Sequence, residues 1–479
     1  MKRITIVLFL IYSQSFSQSW QWVRKDGSNM SQDNGNAICT DNVGNCYIAI
    51  QNSDKAAISK YSLSGNLIWK TYLHNNSSAN SIVYDNSGNL YIAGYNFLAK
   101  CDTSGNIIWK KIVVYEIFKS ICIDNKGYLY VTGTNNLLQK YDTSGNNIWT
   151  LNINAVGYSI CTDNQNNFYI TGNFSNTVSF GNFTLTALGC QDIFVAKFDS
   201  SGNCKWVKQA GGKINCTYYK DNGYGITTDN SGGIYVTGSI ADTAYFDSYS
   251  LIAKYNDVFI AKYDTAGNVL WVKQAKGYSD EEGRCITIDN SGNIYVGGSY
   301  VPNIFIENNI ITGWGNYDAF VLKFDKDGNF LSYTKAGGNT WNEYVYGISI
   351  DNSDNVFVVG SFSSPSIFDN DTLYPSLNYN YDIFVGKINL PTNIQELKNN
   401  SFNISIYPNP SNGSFWLEVE EKIKIREIQI VDLLGRIIFQ LQYINQNKIK
   451  IDNIESGIYF IKVYDENNNF ATKKLIIYH

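Results

Sequence analysis

Short runs of β-branched and aromatic residues, alternating with polar ones, recur along most of this chain and are punctuated by Asp, Asn, Ser and Gly. Alternation with a period of two, bounded by turn residues, predicts strands joined by hairpins. One phrase orders these runs. Asp41-Asn42-Val43-Gly44-Asn45-Cys46-Tyr47-Ile48 has counterparts beginning at Asp85, Asp124, Asp163, Asp229, Asp289 and Asp351. The Asp carboxylate can accept backbone N–H groups two residues on, and Gly or Asn tolerates the left-handed conformation that such a turn needs. Steps between the anchors are 44, 39, 39, 66, 60 and 62 residues, so the copies fall into a short and a long class.

Each copy predicts four strands. In the fifth, Gly225 to Thr228, Ile234 to Thr237, Asp257 to Tyr263 and Val269 to Lys273 are separated by the turns at Asp229 and Asp264 and by one insertion. A lone four-stranded sheet has two faces to bury, and radial stacking of such sheets buries both, which is the β-propeller solution. Copies one to six end on an aromatic fourth strand, with Trp69, Trp109, Trp149, Trp206, Trp271 and Tyr333. Copy seven stops after Asp382 to Ile388, and Trp20 to Lys25 supplies a matching strand at the other end of the chain. The expected fold is therefore all-β, a seven-bladed propeller whose N-terminal strand completes the last blade and leaves no open sheet edge.

The phrase Asp192-Ile193-Phe194-Val195-Ala196-Lys197-Phe198-Asp199-Ser200-Ser201-Gly202-Asn203, with Trp206 and Gly211-Gly212, resembles the bacterial seven-bladed propeller repeats known as SBBP repeats. It returns at Asp257 to Trp271 and, less fully, at Asp318 to Asn329, while Ile50 replaces the Gly found at Gly94, Gly133, Gly172 and Gly238. The resemblance implies a propeller and no single activity.

From 391 to 402 the chain is a polar segment without alternation, a linker by composition. About seven more strands follow, from Ile404 onward, in a density that suits a small Ig-like β-sandwich. Tyr407-Pro408-Asn409-Pro410, Gly435-Arg436, Gly457 with Tyr459, and the closing Lys473-Lys474 resemble the C-terminal sorting domain of the type IX secretion system of Bacteroidota. That resemblance implies an address read by the outer-membrane export machinery. At the other end, Lys2-Arg3 precedes an apolar run too short for the ~20 residues of a membrane span, which reads as a signal peptide cleaved before Gln18. The expected division is thus 1–17 signal peptide, 18–390 propeller, 391–402 linker and 403–479 sorting domain, in a chain secreted or held at the cell surface without a transmembrane segment.

A formal charge of −5, or −7 without Lys2 and Arg3, offers no basic field for nucleic acid. Nine cysteines leave at least one unpaired. Cys39, Cys122 and Cys161 occupy one repeat position and read as small buried residues. Cys39 with Cys46, and Cys190, Cys204 and Cys216, are the pairings worth testing. Only His74 and His479 are available to a Ser-His-Asp triad, and His74 is expected to be solvated in a connection. Arg24 and Arg284 are too few for the arginine cluster of a sialidase-type site. A carboxylate-pair glycosidase needs only two acids at a workable separation. Asp325-Lys326-Asp327-Gly328-Asn329 holds part of a calcium-loop pattern without the later bidentate Glu, and no cofactor or metal site is expected.

In a four-stranded blade the Asp turns all lie on one face, which is monotonous here. On the other face blades four to seven insert about twenty residues each. Pairs such as Val178 to Phe180 with Phe183 to Leu185, and Ile304 to Ile306 with Ile310-Ile311, predict accessory hairpins. Loops on a rigid scaffold concentrate binding residues. The expected ligand groove over blades four to seven draws on Tyr278, Glu281, Trp314, Tyr317, Trp341, Glu343 and Tyr344. The expected role is non-catalytic binding or adhesion, to a glycan or an extracellular protein, with a glycan-active enzyme on the same face as the alternative.

Overall fold

Each Asp that opens a turn uses both of its oxygens. In the computed structural model, Asp41 Oδ1 accepts the N–H groups of Val43 and Asn45, while Oδ2 accepts Asn45 Nδ2 and the Tyr47 hydroxyl, all at 2.8 to 3.1 Å. The fourth turn position takes positive φ in every copy, from Gly44 at 83° to Asp354 at 61°. The same Asp–Tyr bond recurs at Tyr91, Tyr130, Tyr169, Tyr235 and Tyr295, and in the seventh copy Phe357 stands in its place. A third-strand lysine lies over each of these rings, from Lys60 over Tyr47 at 5.0 Å to Lys387 over Phe357 at 5.8 Å. The repeated phrase is therefore a hydrogen-bonded and cation–π cross-brace within each sheet.

The structure describes residues 16–28, 32–134, 137–213, 220–229, 231–377, 380–389, 402–420, 422–432, 437–442, 444–466 and 470–478. Residues 1–15 of the expected signal peptide, most of the expected linker, Cys216 and Gly435-Arg436 lie outside them. The chain divides into two units, Met1–Leu390 and Pro391–His479.

Unit one is all-β, and among its described residues the antiparallel pairings form seven four-stranded groups. The first is Asn34–Thr40, Cys46–Asn52, Lys55–Tyr61 and Leu67–Asn75. The last is Glu343–Ile350, Val356–Phe362, Asp382–Asn389 and the N-terminal strand Ser19–Asp26, whose Trp22 stands opposite Lys387. First strands of successive groups lie side by side, and that of the seventh returns to that of the first, where Thr40 Oγ1 donates to Ile350 O at 3.1 Å. This is a closed propeller. The second and third strands of blade two run together as Asn89–Asp102, and blades two and three share the continuous strand Ile107–Ile123, because the short connections leave no room for inserts.

Fourth-strand tryptophans join neighbouring blades. Nε1 of Trp22, Trp69, Trp109 and Trp206 donates to Leu63, Thr103, Thr143 and Thr265 O at 3.0 to 3.1 Å, each in the next blade's second turn. The turn glycine stacks on the indole: a Cβ at Gly145 would sit 3.0 Å from Trp109. His74, expected in a connection, instead lies in the fourth strand Leu67–Asn75, edge-on to Phe97 at 5.7 Å.

Each long blade carries its hairpin: Thr177–Phe180 with Phe183–Thr186, the extended tips of Ile234–Phe246 and Tyr249–Tyr263, Asn303–Ile306 with Asn309–Thr312, and Ser366–Phe368 with Asp371–Leu373. Three of them also reach back to the preceding blade, pairing Gly211 with Tyr245, Lys276 with Phe305 and Gly337 with Ile367. They are staples across blade boundaries as well as caps.

Unit two is a pair of sheets, Ile404–Tyr407, Phe415–Val419 and Lys448–Ile451 in one, and Ile437–Gln442, Ile425–Asp432, Gly457–Asp465 and Phe470–Ile477 in the other. A core of Ile406, Phe415, Leu417, Ile428, Ile430, Ile461, Val463 and Leu475 fills it.

Seven of the nine cysteines are free: Cys39, Cys46, Cys101, Cys122, Cys161, Cys204 and Cys285. The Cys39–Cys46 pairing is thus not made, and burial pushes both thiols up. Cys190 is disulfide-bonded.

Candidate functional site

Every first strand carries a β-bulge at the same register. In blade one Gly35 faces Ile50 and Ala37 faces Ala49, so Asn36 has no opposite number. The residues skipped in blades two to seven are Asn80, Lys119, Tyr158, Tyr224, Arg284 and Tyr346. A bulge leaves one residue out of the ladder and re-aims its side chain. The first-strand carbonyl then crowds the second-strand residue: a Cβ at Gly172, Gly238, Gly298 or Gly360 would meet Val156, Asn222, Glu282 or Tyr344 O at 1.8 to 1.9 Å. The recurrent glycine of the second strand answers to this contact.

The bulged side chains touch from blade to blade around the axis on which the first strands converge. Asn36 and Asn80 donate to Ala79 O and Phe118 O at 2.8 Å. Tyr158 meets Tyr224 edge-on at 5.2 Å, and the Arg284 guanidinium lies 5.5 Å from Tyr224 and 5.2 Å from Tyr346. All seven are half-buried. Arg284 pairs with Glu282, which also accepts the Tyr224 hydroxyl at 3.2 Å. Burial pulls the guanidinium down, yet Glu282 and the surrounding tyrosines hold it above its ordinary value. Burial and then Arg284 pull the Lys119 ammonium down.

Toward the loop-rich face this ring opens into an aromatic arc. Tyr344 contacts Tyr346 at 5.6 Å, Tyr317 at 5.5 Å and Tyr381 at 6.2 Å. Asn342 Nδ2 donates to the Tyr381 hydroxyl at 3.0 Å, and the Tyr317 hydroxyl donates to Asp280 at 3.4 Å. Burial and Asp280 push the Tyr317 phenol up to about 12. Of the residues expected in a groove, Tyr317 and Tyr344 are brought together here. Trp314, 44% exposed, lies under Lys335 at 3.8 Å, and Trp341 is 41% exposed beside Asn342. Tyr278 stands apart, edge-on to Phe305 at 5.2 Å on the blade-six hairpin.

Glu281 and Glu343 do not reach the groove. Both are fully buried, and each belongs to a set of four carboxylates that begin first strands: Asp33, Asp221, Glu281 and Glu343. Each faces another buried acid that opens a third strand, respectively Asp382, Asp192, Asp257 and Asp318. Their work is to accept backbone N–H groups of the long connections. Asp221 takes Ala241 and Gly212, Asp318 takes Trp314 at 2.5 Å, and Glu343 takes Gly338 together with the Ser364 and Ser366 hydroxyls. Burial drives Asp221, Glu281 and Glu343 up to about 8 and Asp318 up to about 6. Loop acids and brace acids have the same composition in sequence. What separates them is the repeat position at the start of the first strand, together with the preceding Gly-Gly, as at Gly211-Gly212 and Gly337-Gly338, or its equivalent.

Arg284 and Tyr158 were not among the expected groove residues. Their signal was their equivalence to Asn36 and Asn80, immediately after the residue that pairs with the second-strand glycine. Among the described residues no group of three or more His, Cys, Asp and Glu is arranged to hold a metal ion. In the Asp325 turn, Oδ1 accepts Asp327 and Asn329 N–H and Oδ2 accepts Asn329 Nδ2.

In unit two the scattered sorting motif converges. Asn409 Nδ2 donates to Lys474 O at 2.7 Å, and its Oδ1 accepts the Ile476 N–H at 2.9 Å. Tyr407 donates to Glu418, Lys473 Nζ donates to Ile404 O, and Tyr459 donates to Glu455 O. A Cβ at Gly457 would meet the Tyr459 ring at 2.7 to 3.0 Å, while Pro408 and Pro410 flank Asn409 at the surface.

These two units correspond to two family matches: residues 205–242 match the Beta-propeller repeat, and residues 405–478 match the Secretion system C-terminal sorting domain. The molecule is therefore an all-β propeller carrying the type IX sorting tail, an exported protein destined for the cell surface or for secretion. An uncharacterized WD repeat-containing protein of Acanthamoeba polyphaga mimivirus is 28% identical over 205 residues, which is 37% of this chain and 14% of that protein. The endo-acting ulvan lyase of Formosa agariphila is 35% identical over 77 residues, 15% of this chain and 14% of the lyase. The chain spans less than a fifth of the length of the curated relatives it matches. Among solved structures, the WD40 beta propeller domain of Doa1 aligns with a TM-score of 0.49 at 12% identity, covering 78% of this chain and 98% of that one. No helix among the described residues is long and apolar enough to cross a membrane.

Proposed function

We propose that this exported propeller is a non-catalytic binding module whose ligand seats at the loop-rich mouth of the channel, over blades four to seven. The observation that carries the reading is the arc in which Tyr344 contacts Tyr317, Tyr346 and Tyr381, four half-buried phenols on a rigid scaffold. Trp314 and Trp341 extend the apolar surface outward. Aromatic anchors flanked by amides and acids suit hydroxylated ligands, in which flat faces are covered and polar edges are satisfied. The glycosidase alternative would need an accessible carboxylate pair. Here the acids held above their ordinary range are the buried braces, repeated at four blade boundaries, which supports binding over catalysis.

The test is a binding screen of the exported chain against neutral and acidic glycans and extracellular matrix proteins, scored in parallel for cleavage. Tyr344→Ala and Trp341→Ala should each weaken the ligand that the wild type captures. Binding that survives both substitutions unchanged would put the site elsewhere, and turnover of a captured glycan would replace the reading with the enzymatic one.

A further inference from the structure

The seven bulged positions share one backbone geometry, so the side chains placed there are the variable element of the ring. Blades four, five and seven supply Tyr158, Tyr224 and Tyr346, and blades one and two supply Asn36 and Asn80. Blades three and six supply the two cations, Lys119 and Arg284, and no acid occupies any of the seven positions. In a chain of formal charge −5 the ring positions themselves hold only cations, with Glu282 and Asp280 as the acids beside them. A cation in a half-enclosed site attracts an anion to the extent that it is not already neutralised.

Those cations are only partly neutralised. Glu282 takes one Nη of Arg284, and the other guanidinium donors have no acceptor among the described residues, although 30% of the side-chain surface is open. Lys119 makes no ion pair or hydrogen bond among the described residues, and Arg284 repels it. Asp280, the other acid near the mouth, is bonded by Tyr317 and by Asn256 at 3.1 Å. A forked guanidinium with free donors matches planar carboxylates and the oxygens of a sulfate ester.

We infer that the channel mouth recognises an anionic saccharide, a uronate or a sulfated sugar, with Lys119 and Arg284 meeting the acid group while the tyrosine arc covers the sugar ring. This rests on the binding reading above and names its ligand class. A sugar is favoured over an acidic peptide because the tyrosine arc offers ring faces for a sugar to stack on, while strand addition, one route for an extended peptide, needs unpaired backbone. The first strands at the mouth are already paired into their blades.

Calorimetry on the full chain with galacturonate oligosaccharides, sulfated galactan oligosaccharides, neutral galactan oligosaccharides and polyglutamate tests the inference. At least one acidic saccharide should bind about tenfold or more tighter than the neutral one. Lys119→Gln should remove about tenfold of that affinity and flatten its salt dependence, while Lys119→Arg retains both. Lys119 has no partner to orphan among the described residues, so the variant's melting temperature should stay at the wild-type value and separates recognition from folding. If acidic and neutral saccharides bind equally and both depend on Tyr344, the charge inference fails and the binding reading survives. If no saccharide binds, the ligand-class inference fails, and the binding reading fails with it unless a matrix protein is captured in a Tyr344-dependent way; if saccharides bind but none responds to Tyr344→Ala, both fail. Capture of polyglutamate in preference to every saccharide overturns the ligand class.

Discussion

Glu343→Gln is the most direct probe of the brace acids. The side chain is fully buried, and its Oε1 accepts Ser364 and Ser366 at 3.0 and 2.7 Å while Oε2 accepts Gly338 N–H at 3.2 Å. Burial outweighs these donors and lifts the carboxyl from 4.5 to about 8 in the folded protein. A group raised on folding stabilises the native state fully below its unfolded value, and that stabilisation is lost as pH rises through the folded value. Between pH 4.5 and 8, at about 1.4 kcal/mol per pH unit, Glu343 removes up to about 5 kcal/mol. Glutamine keeps the volume and does not ionise. Its carbonyl can accept Gly338 N–H, and the serine hydroxyls can rotate to accept its amide. Melting followed by tryptophan fluorescence from pH 5 to 8.5 should show the wild type losing stability as pH rises. The variant should be more stable than the wild type at pH 8, with a slope smaller by about a third, because Asp221 and Glu281 titrate in the same window. A variant that keeps the whole wild-type slope and is weaker at pH 8 would mean that the ionised carboxylate is the form the donors hold, and the burial argument would be refuted.

Other expectations follow from the cross-braces. Gly145→Ala and Gly88→Ala both force an alanine to positive φ, at 77° and 85°, a strain of about 1–2 kcal/mol. Only Gly145 has an indole 3.0 Å from the new methyl, and Gly88 has nothing within 4 Å. Urea unfolding should therefore find Gly145→Ala the worse by about 1 kcal/mol or more, and equal losses would remove the tryptophan staple from the explanation. Tyr47→Phe deletes the 3.0 Å bond to Asp41 and should lower stability by about 1 kcal/mol, leaving the fold that Phe357 already permits in blade seven. Maleimide labelling of the native chain should be slow at Cys39, Cys46, Cys101 and Cys122, which are buried with thiols pushed up. Cys190 should label only after reduction, and rapid labelling of Cys39 or Cys46 without denaturant would contradict their burial.

Much of the scaffold was legible because each repeat declares its local chemistry. Asp41 and its counterparts announce turns, Trp109 and its counterparts announce fourth strands, and the orphan strand at Trp22 announces closure with Asp382–Asn389. The hairpins after Gly172 and Gly298 were legible from alternation alone. The candidate site was legible only in outline. Tyr317 and Tyr344 come into contact and Trp314 and Trp341 stay partly exposed, whereas Glu281 and Glu343, expected to line a groove, are buried acceptors for loop backbone. Arg284 counted only as one of too few arginines for a sialidase-type cluster, because its neighbours Tyr224, Tyr344 and Tyr346 come from other blades.

By itself, the sequence determined what local interactions decide: strand and turn positions, seven copies, the insert-bearing half, and a tail whose Tyr407-to-Pro410 and Lys473-Lys474 motifs mark export. Tertiary structure decided what depends on contacts between blades. A one-residue bulge turns Asn36, Asn80, Lys119, Tyr158, Tyr224, Arg284 and Tyr346, up to about three hundred residues apart, into one ring. It likewise decided which carboxylates face water and which are buried. Burial is a property of the neighbours a closed propeller brings to a side chain, and those neighbours are not adjacent in the chain.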